Sequence, residues 1–265
     1  MKYYDYHVHS SNSFDSRLTM DEACRLAVNR GLNGLTFTEH IEFACPGFGD
    51  IEPDREHYIG EIMACRRRYP QLTLGMGAEV GLQEHVAAAN RQAVAKGYDF
   101  VLGSVHNIDG VSVHDGSYAA GKERFECYAG YLAAVLRQAR LFNDFDVLGH
   151  IDLIRRDNSY DDRSMPYREF SEQYDALLRE LIETGRGIEV NTAALRYGLS
   201  TMHPELSVLK RYRELGGEII TCGSDAHLER SVGMHIREGC ELIKAAGFKY
   251  LTTFCQRQPS FVKLA

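Results

Sequence analysis

The sequence predicts an α/β fold, a closed or nearly closed barrel of the (β/α)7 kind. Three observations carry this reading. Short apolar runs alternate with amphipathic stretches seven times, joined by short links, which is the pattern of parallel β/α units. The length of 265 residues is close to the ~250 typical of one such barrel, and no linker rich in Gly, Pro or Ser divides the chain, so residues 1–265 read as a single domain. Finally, His9, His40, Glu79, His106, His150, Asn191 and Asp225 each fall at or just past the C-terminal end of a successive predicted strand. In β/α barrels that end carries the active site. Seven unrelated core residues would not be expected to choose the same end.

The first strand, around Tyr3–Val8, carries His7 and His9. Residues two apart in a strand project from one face, so the two imidazoles point together. They can share one metal ion, or be two buried histidines with satisfied hydrogen bonds; Asp15, in the loop that follows, could reach a neighbouring ion. Thr19-Met20-Asp21-Glu22 has the form of a capping box, with Met20, Ala23 and Ala27 on one helical face and Gly31 as a stop. The run 34–38 is a strand ending in Glu39-His40, and a helix over 55–68 is closed by Pro70. Strand 73–78 ends in Glu79, helix 85–96 follows, and the run from Phe100 ends in Ser104-Val105-His106. Tyr128, Tyr131, Leu132, Val135, Leu136 and Ala139 keep the clearest helical spacing in the chain. The remaining expectations are strand 146–149 ending in His150, helix 167–184, strand 187–190 ending in Asn191 and helix 204–215. Strand 218–222 then leads into Gly223-Ser224-Asp225-Ala226-His227, and helix 232–246 precedes strand 250–255, paired with 261–264.

Composition removes several function classes. No run of about 18 apolar residues is present, and Met1-Lys2-Tyr3-Tyr4-Asp5 lacks the apolar core of a signal peptide, so no membrane association and a cytoplasmic location are expected. Seven scattered cysteines with no Cys-x-x-Cys spacing argue against a disulfide framework or a zinc ribbon. A formal charge of -7 gives no electrostatic case for nucleic acid. There is no P-loop and no Gly-x-Ser-x-Gly elbow.

Together His7-Val8-His9, Thr38-Glu39-His40, Gly77-Ala78-Glu79, Ser104-Val105-His106, Gly149-His150-Ile151-Asp152 and Gly223-Ser224-Asp225-Ala226-His227 resemble the PHP (polymerase and histidinol phosphatase) family of metal-dependent phosphoesterases. Ser13-Phe14-Asp15, residues 149–156 and residues 189–196 resemble the histidinol-phosphate phosphatase branch more narrowly. The resemblance implies a distorted (β/α)7, TIM-like barrel with two to three divalent metal ions, of zinc, iron or manganese. Carried over by position, one ion would take His7, His9, Glu79 and Asp225, and a second Glu79 (as a bridge), His106 and His150. A third would take Asp15, His40 and His227, although many relatives have histidine where Asp15 stands.

The implied reaction is hydrolysis of L-histidinol phosphate to L-histidinol and phosphate, in histidine biosynthesis. Glu79, Asp225 and His227 are expected to carry it through the metals, with Arg155 and Arg196 gripping phosphoryl oxygens. Arg156, next to Arg155, is expected to point elsewhere. Glu42 and His203 complete the expected substrate contacts, and Glu42, Asp152 and Asp157 are the acids placed to meet the substrate's ammonium. His57, His85, His114 and His235 read as surface or structural residues. Two alternatives are a phosphoesterase acting on a nucleotide, sugar phosphate or phosphodiester, and a non-catalytic PHP scaffold. The nine retained candidate ligands and the lack of an attached domain weigh against the scaffold.

Overall fold

The computed structural model describes residues 1–264. Seven strands run parallel in one sheet: β1 (Tyr4–Val8), β2 (Gly34–Cys45), β3 (Thr73–Gly81), β4 (Phe100–Ser104), β5 (Val147–Leu148), β6 (Gly187–Asn191) and β7 (Ile220–Gly223). Neighbours in the chain are neighbours in the sheet, each pair joined by a helical crossover. The sheet comes close to closing on itself. A parallel bridge joins Val8 to Ala226, and the His9 N–H donates to the Ala226 carbonyl at 2.8 Å. β5, at two residues, is the thinnest stave and marks the barrel's distortion.

The longer helices are α1 (Met20–Asn29), α2 (Arg55–Arg68), α3 (Ala87–Val94), α4 (Arg124–Leu141), α5 (Ser171–Glu183), α6 (Leu206–Glu214) and α7 (Ile236–Ala245), and a single helical turn, Ala193–Arg196, follows β6. Local chemistry sets their ends. At α1, Thr19 Oγ1 accepts from the Glu22 N–H at 3.2 Å while Glu22 Oε2 accepts from the Thr19 N–H at 3.0 Å. Gly31, at φ +69°, takes the left-handed position that ends the helix. On α4, the residues with clear helical spacing are buried, except Leu136, which is half-buried at the edge of the core.

Several boundaries move. The helix expected over 85–96 opens as a 3-10 turn, Glu84–Val86, before α3. Another 3-10 turn, Glu229–Ser231, delays α7 to Ile236. β2 runs on to Cys45 because its end folds back on a short antiparallel strand, Gly49–Ile51. At the other end of the barrel a hairpin of β8 (Tyr250–Cys255) and β9 (Gln258–Lys263) brings Phe254 against Phe100 and Tyr6, with ring centroids 5.1 and 6.4 Å away. This plug leaves only the C-terminal ends of the strands open. Five of the cysteines (Cys24, Cys65, Cys127, Cys222 and Cys240) are buried and unbridged, as small core residues. Among the described residues, no helix is long and apolar enough to cross a membrane.

Candidate metal centre

The strand ends converge on Glu79. It lies directly opposite His40 in the β2–β3 register, with β4 on its other side and β1 one strand beyond β2. Its Oε2 is 3.3 Å from His7 Nε2, 3.3 Å from His9 Nε2 and 3.2 Å from His40 Nδ1. Its Oε1 is 3.0 Å from His150 Nε2 and 3.4 Å from His106 Nε2. One carboxylate thus faces three imidazoles on one oxygen and two on the other, as a bridging ligand would.

The donor spacing tests whether a metal fits. Ligands ~2.1 Å from a tetrahedral ion lie about 3.4 Å from one another. His7 Nε2 and His9 Nε2 are 3.1 Å apart, each is 3.3 Å from Glu79 Oε2, and Asp225 Oδ1 is 3.6 and 3.7 Å from them. These five separations are close to that spacing, and His7, His9 and Glu79 form one compact donor group. A second group is Glu79, His106 and His150. In a third, Asp15 Oδ2 lies 3.4 Å from His40 Nε2 and 3.2 Å from His227 Nε2, and His9, His40 and His227 form a compact donor group. The donors are imidazole and carboxylate, a set that suits zinc and other divalent transition metals.

Buried partners aim these rings. His7 Nδ1 donates to Glu189 Oε1 at 2.7 Å, His9 Nδ1 to Ser13 Oγ at 3.1 Å and His106 Nδ1 to Glu42 Oε1 at 2.5 Å. Each Nδ1 proton is thereby committed, leaving the Nε2 lone pair for a metal. Ser13 is held in turn by Glu39, whose carboxylate accepts from both Ser13 and Ser10 at 2.6 Å. Close approach demands glycine at Gly223: a Cβ there would lie 2.4 Å from His7 Cβ and 2.3 Å from Glu189 Oε1. Burial opposes charge on all these groups, but mutual attraction outweighs it at most of them. His7 is raised well above the usual histidine range by Glu189, Glu79 and Asp225, and His106 to about 10 by Glu42 and Glu79. Glu79 and Asp225 fall well below the usual carboxylate range beside these histidines. His9 is the exception: burial and the neighbouring His227 and His40 keep it neutral.

A family model described as PHP domain matches residues 5–193. The chain belongs to the PHP family. A histidinol-phosphatase of Lactococcus lactis subsp. lactis is 32% identical over 257 residues, covering 96% of this chain and 95% of that protein. The crystal structure of histidinol phosphate phosphatase from the same organism, complexed with zinc, L-histidinol and phosphate, superposes with a TM-score of 0.90 at 29% identity, covering 98% of this chain and 99% of that one. A solved structure from Listeria monocytogenes, with a TM-score of 0.75 at 18% identity, shares the fold.

The PHP cavity, about 840 Å³, lies over these donors. Its rim includes Phe14 and Phe48, tilted against each other with ring centroids 5.2 Å apart and largely exposed. Here the structure corrects the expectations outside the ligand set. Arg155 does not face the cavity. It is 1% exposed, paired with Asp152 at 2.7 Å and bonded to Thr201 Oγ1 and the Arg163 and Met202 carbonyls. Arg156, expected to point elsewhere, lines the cavity with Arg196. The reason is the 3-10 turn Leu153–Arg155, which sends adjacent side chains in different directions. His203 is also away from the cavity, its Nδ1 2.7 Å from Asp152 Oδ1.

The three acids placed for the substrate's ammonium are all committed elsewhere. Asp152 is buried between Arg155 and His203, Asp157 pairs with Arg156 at 2.7 Å, and Glu42 holds His106. His114, read as surface or structural, lines the cavity with its ring 4.8 Å from that of His106. Burial, His106 and Arg156 keep it neutral. Glu189 was not singled out at all. Its signal was present in Gly187-Ile188-Glu189-Val190-Asn191, where alternation points Glu189 and Asn191 into the barrel together.

Proposed function

We propose that this PHP protein is a histidinol-phosphatase that hydrolyses L-histidinol phosphate to L-histidinol and phosphate. The observation that carries the reading is the nest of Nε2 and carboxylate donors around Glu79, at tetrahedral spacing, in a chain aligned over nearly its whole length with a phosphatase complexed with zinc, L-histidinol and phosphate. His7, His9, Glu79 and Asp225 would hold one ion, Glu79, His106 and His150 a second, and Asp15, His40 and His227 a third, with zinc the metal the comparison favours. When bound, such dications neutralise phosphate charge and lower the pKa of a water to near 7.

The protein's own groups do the rest. Arg196 is braced by the Ser224 and Asp225 carbonyls at 2.6 and 2.9 Å, and Arg156 by Asp157 and the face of Tyr197 at 4.3 Å. Held in place, the two guanidinium groups present their remaining N–H donors to phosphoryl oxygens. Glu189, Ser13 and Glu42 keep the ligand imidazoles in one tautomer and one orientation. Phe14 and Phe48 bring apolar surface to the cavity mouth.

The test is phosphate release from histidinol phosphate by protein purified without chelator. Activity should vanish in EDTA and return with zinc. Zinc-loaded protein that releases no phosphate would overturn the proposal.

A further inference from the structure

We propose that His114 is a catalytic residue of this site, its Nε2–H donating a hydrogen bond to the substrate's ester oxygen as the alcohol departs; the inference rests on the phosphatase reading above. The tautomer comes first. Arg156 Nη2 is hydrogen-bonded to His114 Nδ1. A guanidinium has only donors, so Nδ1 is the acceptor, and a neutral imidazole that accepts on Nδ1 carries its proton on Nε2. That nitrogen therefore has no lone pair for a metal, and His114 is absent from every compact donor group among the described residues. Its proton has no acceptor among the described residues; the ring packs against His106, and the His114 backbone N–H donates to Ser112 Oγ at 3.0 Å.

Position then assigns the acceptor. A second hollow of about 560 Å³ adjoins the main cavity, with Asp115, Asp157 and Asn158 in its lining. His114 is the one residue that lines both. Seven of the nine metal donors, together with Arg156 and Arg196, line the larger cavity, so the phosphoryl group belongs there. Asp115, which has no cationic partner among the described residues, is the acid the smaller hollow offers to an ammonium-bearing alcohol, since Asp157 stays paired with Arg156 and Lys122 is bonded to the Tyr118 carbonyl. The atom joining the two parts of the substrate is the ester oxygen, and it lies where the two hollows meet, beside His114.

The chemistry needs a donor at that atom. Hydrolysis adds water across the P–O bond: hydroxide ends on phosphorus, and the water's other proton ends on the alcohol oxygen. Negative charge grows on that oxygen as the bond breaks, so a fixed N–H there binds the transition state more tightly than the ground state. His114 keeps its own proton throughout.

A leaving-group comparison tests this. An alkyl alcohol leaves poorly and needs the donor; p-nitrophenolate leaves well and needs it far less. His114→Phe, which preserves the ring packing, should lower kcat on histidinol phosphate by ~100-fold with little change in KM. The loss on p-nitrophenyl phosphate should be at least about tenfold smaller. His114→Gln, which returns an N–H near the Nε2 position, should recover part of the loss, and metal content should match the parent in both. Should His114→Phe fail to fold, His114→Ala gives the same comparison. Equal losses on the two esters would overturn the proposal, since His114 would then act only by holding Arg156; so would no loss. A parent enzyme inactive on histidinol phosphate would instead count against the substrate reading, and the alkyl-to-aryl comparison on its true substrates would still decide the role of His114.

Discussion

Replacing Glu189 by glutamine removes one buried negative charge while keeping the shape of the side chain. In the parent, Oε1 accepts from His7 Nδ1 at 2.7 Å, and Oε2 accepts from the His150 N–H at 2.9 Å and from Asn191 Nδ2 at 3.1 Å. Glutamine has one acceptor atom, so it serves one of these two groups and turns an NH2 toward the other. The lost charge-assisted bond costs about 1.5–3 kcal/mol and the stranded donor about 1–3 kcal/mol. A stability loss of about 3–5 kcal/mol follows, enough to lower the Tm by about 6 °C or more. His7 faces Oε2 of Glu79 and His150 faces its Oε1, so the same change loosens donors on both oxygens. Outer-shell substitutions of this kind typically weaken metal binding by about 10–100-fold, or about 1.4–2.7 kcal/mol. Zinc affinity is measured by competition with a chromophoric chelator, and the Tm on metal-free protein. An unchanged affinity and an unchanged Tm would refute the assignment of Glu189 as the group that orients these ligands.

Asp15→Ala should lose about one equivalent of metal and much of the activity while the barrel stays folded, since Asp15 touches only His40 and His227 at the cavity rim; unchanged metal content would leave it a plain loop residue. The adjacent arginines should separate cleanly: Arg156→Ala or Arg196→Ala lowers kcat/KM by about 10–100-fold on histidinol phosphate and on an aryl phosphate alike, whereas Arg155→Ala breaks a buried pair with Asp152 and costs about 3–5 kcal/mol of stability. Acid titration should reveal that pair. Burial works against the Asp152 charge, but His203 and Arg155 outweigh it and lower its pKa to about 2. A depressed carboxyl pKa contributes stability above the unfolded value of about 3.9, lost as pH falls toward 2, about 2–3 kcal/mol in all. Denaturant midpoints between pH 5 and 2 should fall less steeply in Asp152→Asn than in the parent; equal slopes would contradict the pairing.

The parts of the site that were legible in the sequence are those that strand geometry determines. A residue at the end of a parallel strand in a barrel has nowhere to go but the open face, so His7, His9, His40, Glu79, His106 and His150 announce themselves by position. The capping box at Thr19 and the Tyr128–Ala139 stripe are legible for the same reason, since each rests on short-range periodicity. What escapes is set by contacts between distant segments. Arg155 and Arg156 are equivalent in sequence, and only the turn at Leu153–Arg155 decides which one meets Asp152 and which meets Tyr197. His114 lies on a loop with no periodicity, and its place beside His106 depends on how that loop crosses the barrel mouth. Glu42 looked like a substrate-binding acid because its partner, His106, is 64 residues away.

The central claim is tested most directly by one side-by-side measurement: kcat/KM for histidinol phosphate, a nucleotide and a sugar phosphate, with elemental analysis of the same sample. The account predicts two to three metal ions per chain, zinc among them, and a preference for histidinol phosphate of at least ~100-fold, about 2.7 kcal/mol of differential transition-state binding. A sample that hydrolyses the nucleotide or the sugar phosphate better, or keeps full activity in EDTA with no metal bound, would contradict it.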